Sequence, residues 1–292
     1  MARGRWVRPA ELARAGMTGP AAEILKRLAE RREVQARIMI VVAHPDDETI
    51  GMGAQLCRFQ DALLVQVTDG APRDGHDASA HGFANIAEYA FARRVELLTA
   101  LDAGGAGNVR TEIVGIPDQE AHLNLVMLTE HLKHRLQQQA PEAIFVQPYE
   151  GGHPDHDVVA FAAQTAARLI ASEGRSPPAI IEMTAYHVEG TALATGNFLP
   201  AKQPVMTIEL SAAERLRKRR MIGCFTSQRE LLAGFATEVE RFREAPGYDF
   251  IRPPHPGELL YERLGWRVNG ELWRRCAREA LEALGIRSPK WA

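Results

Sequence analysis

Two short stretches of the sequence contain side chains that bind metals and transfer protons. Residues 41–51 read VVAHPDDETIG, and residues 150–157 read EGGHPDHD. A buried charge is costly unless it is paired with an opposite charge or bound to a metal. The first stretch places a histidine and three acids directly on the end of an apolar run, so these groups require partners.

Each stretch has two ligand-type residues three positions apart. These are His44 and Asp47 in the first stretch, and His153 and His156 in the second. The proline after the first histidine suits the first turn of a helix, where its missing N–H does no harm. Because residues i and i+3 lie on one face of a helix, a single turn can direct two side chains at one centre.

Together the two stretches predict a metal centre. The expected ligands are His44, Asp47 and His156, because two imidazoles and one carboxylate are a ligand set of catalytic zinc, which leaves a fourth position for water. Asp46 would lie beside the metal and accept the proton of water whose pKa the metal lowers toward ~7. His153, as an imidazolium, would stabilise an oxyanion or protonate a leaving amine.

Two acids of these stretches are predicted to support the others. Asp155 is expected to orient either His153 or a ligand histidine, because carboxylates beside metal sites commonly hold the imidazoles. The sequence leaves the choice between the two histidines open. Glu48 receives no role in metal binding or proton transfer, and we expect it to pair with or cap a neighbouring group.

Either stretch alone has an ordinary structural explanation. In a simple loop, the proline turns the chain, the aspartate caps a helix and the histidine is exposed to solvent. Two such stretches, each following an apolar run, contain more acids than capping requires. Their combination therefore favours a functional site.

Strand and helix patterns alternate through the first ~190 residues, which predicts an α/β fold with a mostly parallel sheet flanked by helices. In such a sheet, ligands bind at the carboxyl ends of the strands, where both stretches lie. The polar, Gly-rich segment 69–82 is expected to be a functional loop. Strands are predicted at 37–43, 62–68, 109–115, 142–148, 179–188 and 204–210, and helices at 20–36, 49–60, 83–102, 123–139 and 155–172.

The predicted organisation is a single domain with additions at both ends. Residues 1–36 are expected to form an N-terminal helical extension on the outside of the α/β domain, which spans 37–244. Residues 245–292 are rich in Pro and Gly at first and are predicted to be a wrap or lid of the same domain. This segment would end in a closing helix at about 270–284.

Composition excludes several classes of protein. A net charge of −2 provides no electrostatic field that would attract nucleic acid, and no apolar run approaches the ~20 residues of a membrane span.

Three scattered cysteines form no CxxC pair, which predicts a reducing, cytoplasmic location. The expected partner is a small molecule, and self-association into a homo-oligomer stays open. The basic run RLRKRR at 215–220 is interpreted as a solvated helix face.

The pairing of AHPDDE with HPDH resembles the LmbE-like, or PIG-L, N-acetylglucosaminyl de-N-acetylases over most of residues 37–230. The resemblance implies a Rossmann-like fold and a zinc-dependent hydrolase that removes an acyl group, usually acetyl, from a glucosamine-type amino-sugar substrate. It implies the ligand set already given by spacing, with the general base at Asp46 and the transition-state-stabilising histidine at His153. Zn2+ is therefore the expected cofactor, with another divalent metal as the alternative.

Weaker parts of the resemblance predict substrate-binding residues. An Arg-x-x-Glu pattern falls on Arg93 and Glu96, a Pro-Asp pattern ends at Asp118, and Arg73 lies in the Gly-rich segment. The structural alternatives are an i,i+3 ion pair for Arg93, a helix cap for Asp118 and a solvated side chain for Arg73.

The sequence departs from the family at Phe225, where many relatives have the histidine of a His-x-Ser-Gln segment. Two alternative functions also remain. The same site could cleave an N-acyl group from a non-sugar or conjugated substrate, such as a thiol conjugate or an antibiotic precursor. A non-catalytic metal-binding or sugar-binding relative is the second alternative, and the presence of Asp46 and His153 beside a full ligand set disfavours it.

Overall fold

The computed structural model describes the backbone of residues 6–7 and all of residues 19–286. Its strands are β1 (Trp6–Val7), β2 (Val34–Val42), β3 (Phe59–Pro72), β4 (Arg110–Asp118), β5 (Ala143–Val146), β6 (Ala179–Met183), β7 (Tyr186–Glu189), β8 (Ala192–Thr195), β9 (Val205–Glu209) and β10 (Val239–Glu244). Its helices are α1 (Gly19–Ala29), α2 (Asp47–Met52), α3 (His76–Ala80), α4 (Ile86–Ala103), α5 (Leu125–Gln139), α6 (Pro154–Ser172), α7 (Ala212–Ile222), α8 (Arg229–Leu232), α9 (Leu260–Arg263) and α10 (Gly270–Ala283).

Within the described residues, eight strands form the main sheet in the order β1-β9-β10-β6-β5-β2-β3-β4, and β7 and β8 form a separate hairpin. Strands β6, β5, β2, β3 and β4 are parallel to one another. Strand β10 is antiparallel to both of its neighbours, β6 and β9. The predicted α/β class and mostly parallel sheet are confirmed.

The sheet separates two apolar layers, because successive side chains of a strand point to opposite faces. In β2, Ile38 and Ile40 belong to one buried layer, which also contains apolar residues of α1, α4 and α7. Met39 and Val41 belong to the other, with apolar residues of α5, α6 and α10. None of the helices within residues 19–286 is long and apolar enough to cross a membrane.

Several predicted boundaries differ from the structure. The helix expected at 49–60 ends at Met52, and β3 begins at Phe59. The strand expected at 179–188 is divided between β6 and the hairpin strand β7. The expected loop at 69–82 contains the end of β3 and the short helix α3. Strand β10 was missed because its sequence, VERFRE, is mostly charged, although Glu240 and Arg243 are each only 1% exposed.

The N-terminal helix is shorter and more deeply packed than the sequence indicated. Helix α1 ends at Ala29, and β2 already begins at Val34. Leu25 and Leu28 of α1 are fully buried in the first apolar layer, so this helix covers the sheet. Residues 1–5, 8–18 and 287–292 lie outside the described residues, and the predicted division into 1–36, 37–244 and 245–292 stays a prediction.

The basic run at 215–220 is not wholly a solvated face. The Lys218 side chain of α7 is 1% exposed. Its Nζ lies 2.9 Å from Oε1 of Glu240 on β10 and donates to the carbonyl of Ile50 in α2 at 2.8 Å. This ion pair therefore anchors α2, the helix that carries Asp47.

Replacing Lys218 by methionine is expected to lower the free energy of unfolding by about 3–5 kcal/mol, because it leaves the Glu240 carboxylate buried without its cation. Urea unfolding of the purified variant measures this loss. Arg220→Met, at an exposed position of the same helix, should change the stability by less than about 0.5 kcal/mol. Equal stability of Lys218→Met and the unsubstituted protein would contradict a stabilising role of the buried Lys218–Glu240 ion pair.

Candidate metal and catalytic site

The two H-P-D stretches meet at the carboxyl edge of the sheet. Strands β2 and β5 are parallel neighbours, His44 follows the end of β2, and the His153 stretch follows β5 and opens α6. A close backbone approach fixes the second stretch, since a Cβ on Gly152 would lie only 1.9 Å from the carbonyl oxygen of Tyr186 in β7. Only glycine fits there, so β7 lies directly against the histidine loop.

The three predicted metal ligands converge. His44, Asp47 and His156 each offer one ligand atom, and these atoms lie within 4.8 Å of one another. Nδ1 of His44 lies 3.2 Å from Oδ2 of Asp47, and Nε2 of His156 lies 3.1 Å from Oδ1 of the same carboxylate. All three residues are buried, so the site is a pre-formed cluster.

The donor set fits a divalent cation. Nε2 of His156 is a buried atom without a hydrogen bond of good geometry, as expected for a lone pair that awaits a metal. The opposite edge of the His44 ring meets carboxylates, with Nε2 3.2 Å from Oδ1 of Asp118 and 3.3 Å from Oδ2 of Asp155. A carboxylate on the second nitrogen is the usual support of a metal-binding imidazole.

Electrostatics in the cluster favour positive charge. Burial alone would lower the pKa of His44, but the carboxylates of Asp118, Asp155 and Asp47 raise it well above its ordinary value. Burial opposes ionisation of Asp47, but His156 and His44 hold its pKa well below the usual range. The cluster is thus an anionic environment that stabilises a bound cation.

Asp46 adopts a strained backbone conformation beside the ligands. Its φ is 125°, a value that residues other than glycine rarely adopt and that costs about 1–3 kcal/mol. Burial raises the pKa of its carboxyl group well above the ordinary value, and the Arg93 guanidinium opposes this effect. Glu48 supports the turn, because its carboxylate accepts the Asp46 N–H at 3.2 Å and the Thr49 hydroxyl at 2.5 Å.

Arg93 holds Asp46 in place. Its Nη2 donates to Oδ2 of Asp46 at 3.0 Å and to the carbonyl of Pro45 at 2.7 Å, and its Nη1 donates to the carbonyl of Gly70 at 3.3 Å. The residue is 4% exposed, and these contacts make Arg93 a positioning residue for Asp46. Arg93 also lines the cavity, so its predicted contact with substrate stays a prediction.

Replacing Arg93 by lysine is expected to reduce kcat by about 100-fold with metal content unchanged, because a single ammonium group cannot contact all three acceptors and Asp46 loses its fixed position. Steady-state kinetics with metal analysis measures both quantities. Arg94→Lys, at the adjacent exposed position, is the matched control. Unchanged kcat in Arg93→Lys would contradict this role.

His153 and Asp155 both lie beside the ligand histidine His44. Nδ1 of His153 accepts the backbone N–H of Asp155 at 3.1 Å, so a neutral ring carries its proton on Nε2. The Asp155 carboxylate contacts His44 and accepts the backbone N–H groups of Gln119 and Ala121 at 2.7 and 3.1 Å. Of the two histidines left open by the sequence, Asp155 orients the ligand histidine, His44.

The remaining predicted substrate residues differ in position. Asp118 lies in the site, with Oδ1 between Nε2 of His44 and, at 3.6 Å, Nε2 of His153. Arg73 is exposed and binds the Asp69 carboxylate and the Ala71 carbonyl. Among the described residues that line the cavity, Arg73 is absent, so the structure does not support its prediction as a substrate contact.

A cavity of about 310 Å³ opens over the cluster. Sequence reasoning did not single out several residues that line it, because they come from short helices, loops and the hairpin and belong to no ligand-type motif. These residues are Ile50, Asp77, Gln119, Tyr186, Leu193, Gln228, Leu231, Leu232, Phe235, Leu260, Leu264 and Trp266.

Phe225 belongs to the apolar layer that also contains residues of α1, α4 and α7. Phe225 is 1% exposed and packs with the residues of α4 and α7. The Glu96 carboxylate holds the segment around Phe225, accepting the Ser227 hydroxyl at 2.6 Å and the Thr226 hydroxyl at 2.7 Å. Glu96 therefore anchors the Gln228 side of the cavity and does not pair with Arg93.

Comparison with known proteins agrees with the site. Residues 39–167 match the family described as PIG-L: GlcNAc-PI de-N-acetylase, and this range contains both H-P-D stretches. This part of the chain is therefore similar to a PIG-L domain. The resemblance inferred from the two motifs is thereby confirmed. No curated protein matches the sequence.

Several solved structures share the fold of this chain. The deacetylase–bog complex of teicoplanin biosynthesis is 16% identical, with a TM-score of 0.55 over 71% of this chain and 96% of that one. The A40926 pseudoaglycone deacetylase Dbv21 is 19% identical, with a TM-score of 0.54 over 72% and 97%. The zinc-inhibited form of the teicoplanin deacetylase Orf2 is 16% identical, with a TM-score of 0.53 over 71% and 97%.

Proposed function

We propose that the protein is a metal-dependent hydrolase that removes an N-acetyl or other N-acyl group from an amino-sugar substrate. The observation that carries this proposal is the convergence of His44, Asp47 and His156 in one cavity with two further groups, Asp46 and His153. The PIG-L match and the deacetylases that share the fold support the same reaction class.

His44, Asp47 and His156 would hold the metal, and their donor set suits Zn2+. When bound there, a divalent metal would act as a Lewis acid on the scissile carbonyl and make water acidic near neutral pH. Asp118 and Asp155 fix the ligand ring of His44 from its far side. The protein thus pre-organises the ligands before substrate arrives.

Asp46 is the proposed general base. Its buried carboxylate accepts the proton of the attacking water, and Arg93 holds it in the orientation for that transfer. The same carboxyl group then delivers the proton to the departing amine, so that the C–N bond breaks to give a free amine and a carboxylic acid. A carboxyl whose pKa is raised by burial suits both directions of transfer.

His153 is the proposed donor to the developing oxyanion. Its Nδ1 accepts a backbone N–H, so a neutral ring presents Nε2–H to the substrate. Burial, together with the nearby His44, lowers the pKa of His153 well below its ordinary value. We therefore assign His153 the role of a neutral hydrogen-bond donor and Asp46 the protonation of the amine. The imidazolium expected from the sequence stays the alternative.

An amine-release screen tests the proposed function. Metal-free protein is loaded with Zn2+ or with another divalent metal and assayed on N-acetylglucosamine derivatives and on N-acyl amines without a sugar. Release of amine from the sugar panel, lost on chelation, is the expected result. Hydrolysis of only the non-sugar amides would favour the alternative substrate, and no hydrolysis with any metal would reject the proposal.

The predicted location is also a proposal. Cys57, Cys224 and Cys276 are free thiols, which supports a reducing, cytoplasmic compartment.

A further inference from the structure

The cavity over the cluster is lined by two chemically different groups of residues. The polar group includes Asp77, the last residue of β4, Asp118, and its neighbour Gln119. The apolar group comes mostly from residues later in the chain. Its side chains, here called the apolar wall, are Tyr186, Leu193, Leu231, Leu232, Phe235, Leu260, Leu264 and Trp266.

The apolar wall begins at the reacting centre. The Trp266 ring meets the His153 ring edge-on with centroids 4.7 Å apart, and the Tyr186 ring meets the His156 ring at 5.1 Å. The Phe235 ring continues the surface from Tyr186 at 5.8 Å. A group bound along this wall would therefore start next to the scissile amide.

The same wall ends in exposed leucines at the cavity mouth. Leu193 on β8, Leu231 on α8 and Leu264 just after α9 are 49%, 50% and 54% exposed. A single exposed leucine is ordinary, but these three come from separate parts of the chain and surround one opening. A contiguous apolar rim that leads to a polar centre is typical of a ligand site.

A bare amino sugar does not complement this wall. Its hydroxyl groups would lie against leucine and aromatic carbon, where they lose their hydrogen bonds to water without replacement. Asp77, Asp118 and Gln119 offer hydrogen-bonding groups to the hydroxyls, which leaves the apolar wall for another part of the substrate.

Building on the proposed function, we propose that the substrate carries an extended apolar group and that the apolar wall binds it. This group is either a long N-acyl chain or an apolar aglycone, since the chemistry of recognition is the same for both. It covers Leu193, Leu231 and Leu264 in the complex and holds the amide against His153 and Asp46.

Three matched substrates separate the two sources. The reference is the methyl glycoside of N-acetylglucosamine, and the others are its octyl glycoside and the N-octanoyl methyl glycoside. Each methylene transferred from water to the wall raises kcat/KM by up to about fourfold, so we expect at least a tenfold preference for one octyl compound. Equal kcat/KM for all three compounds would overturn the inference.

Substitutions at the rim test the location. The double variant Leu231→Ser/Leu264→Ser is expected to lower the ratio of kcat/KM for the preferred octyl compound to kcat/KM for the reference compound by about tenfold. Leu216→Ser is the matched control, because Leu216 is 51% exposed and lies on α7 outside the cavity lining. A double variant that keeps the full octyl preference would contradict the assignment.

Binding provides a readout that does not need turnover. Calorimetric titration with octyl and methyl glucosaminides, below the micelle concentration, should show tighter binding of the octyl compound and loss of that difference in the double variant. This result without hydrolysis of any amide would reject the proposed function and keep the apolar wall. Hydrolysis with equal binding of both glucosaminides, together with equal kcat/KM for the N-octanoyl and reference compounds, would reject the apolar wall and keep the function.

Discussion

Asp46→Asn is expected to lower kcat by about 10²–10⁴-fold while the protein still binds its metal. The carboxylate is the only group of the site that we assign to accept and return the proton, and asparagine has the same shape without that capacity. Asparagine also tolerates positive φ better than most residues, so the 125° φ at position 46 is kept. Steady-state amine release and metal analysis on the same sample measure the two effects.

The control for this prediction is Asp102→Asn, at an exposed position of α4. It removes a carboxylate without touching the cavity, and its kcat should equal that of the unsubstituted protein. If Asp46→Asn turns over at the normal rate, another group accepts the proton and our mechanism is wrong. If it loses metal together with activity, Asp46 acts as a ligand.

His156→Ala is expected to weaken metal affinity by more than about 100-fold. Even the substitution of a residue that only supports a ligand typically lowers metal affinity or activity 10–100-fold. The imidazole is one of three protein donors, and its Nε2 lies 3.1 Å from Oδ1 of Asp47 without a hydrogen bond of good geometry. Activity should therefore be absent at low metal concentration. Equilibrium dialysis against a competing chelator measures the affinity.

His134→Ala is the matched control for the ligand variant, since His134 is exposed on α5. Its metal affinity and activity should be those of the unsubstituted protein. Retention of full affinity in His156→Ala would contradict the ligand set, whereas a parallel loss of folding, checked by circular dichroism, would require Asp47→Asn as the second test.

Local patterns predicted the centre of the site well. The i,i+3 spacings of the two H-P-D stretches placed His44, Asp47 and His156 together, because both stretches follow neighbouring parallel strands. The buried strands β2 and β5 were recognisable from continuous apolar runs, since both faces of this sheet are covered. These features depend on residues close in sequence, which a pattern can reveal.

Features that depend on distant residues were not predictable. Arg93 reaches back to Asp46 across 47 positions, and the i,i+3 pattern with Glu96 gave no hint of that partner. Lys218 is buried in an ion pair with Glu240. Glu240 lies on β10, and the mostly charged sequence of β10 does not indicate a buried strand. Trp266 and Tyr186 enter the cavity from the tail and the hairpin, where no periodicity indicates which way a side chain points.

The most direct test of the central claim is a metal titration of the metal-free protein, with amine release measured at each addition on the best substrate of the panel. We predict a rate that is near zero at first, rises in proportion to added Zn2+ or another divalent metal, and reaches its maximum at about one equivalent per chain, as one three-ligand site requires. Asp46→Asn should bind the same one equivalent of metal per chain but should show little amine release. Full activity of the metal-free protein would contradict the claim.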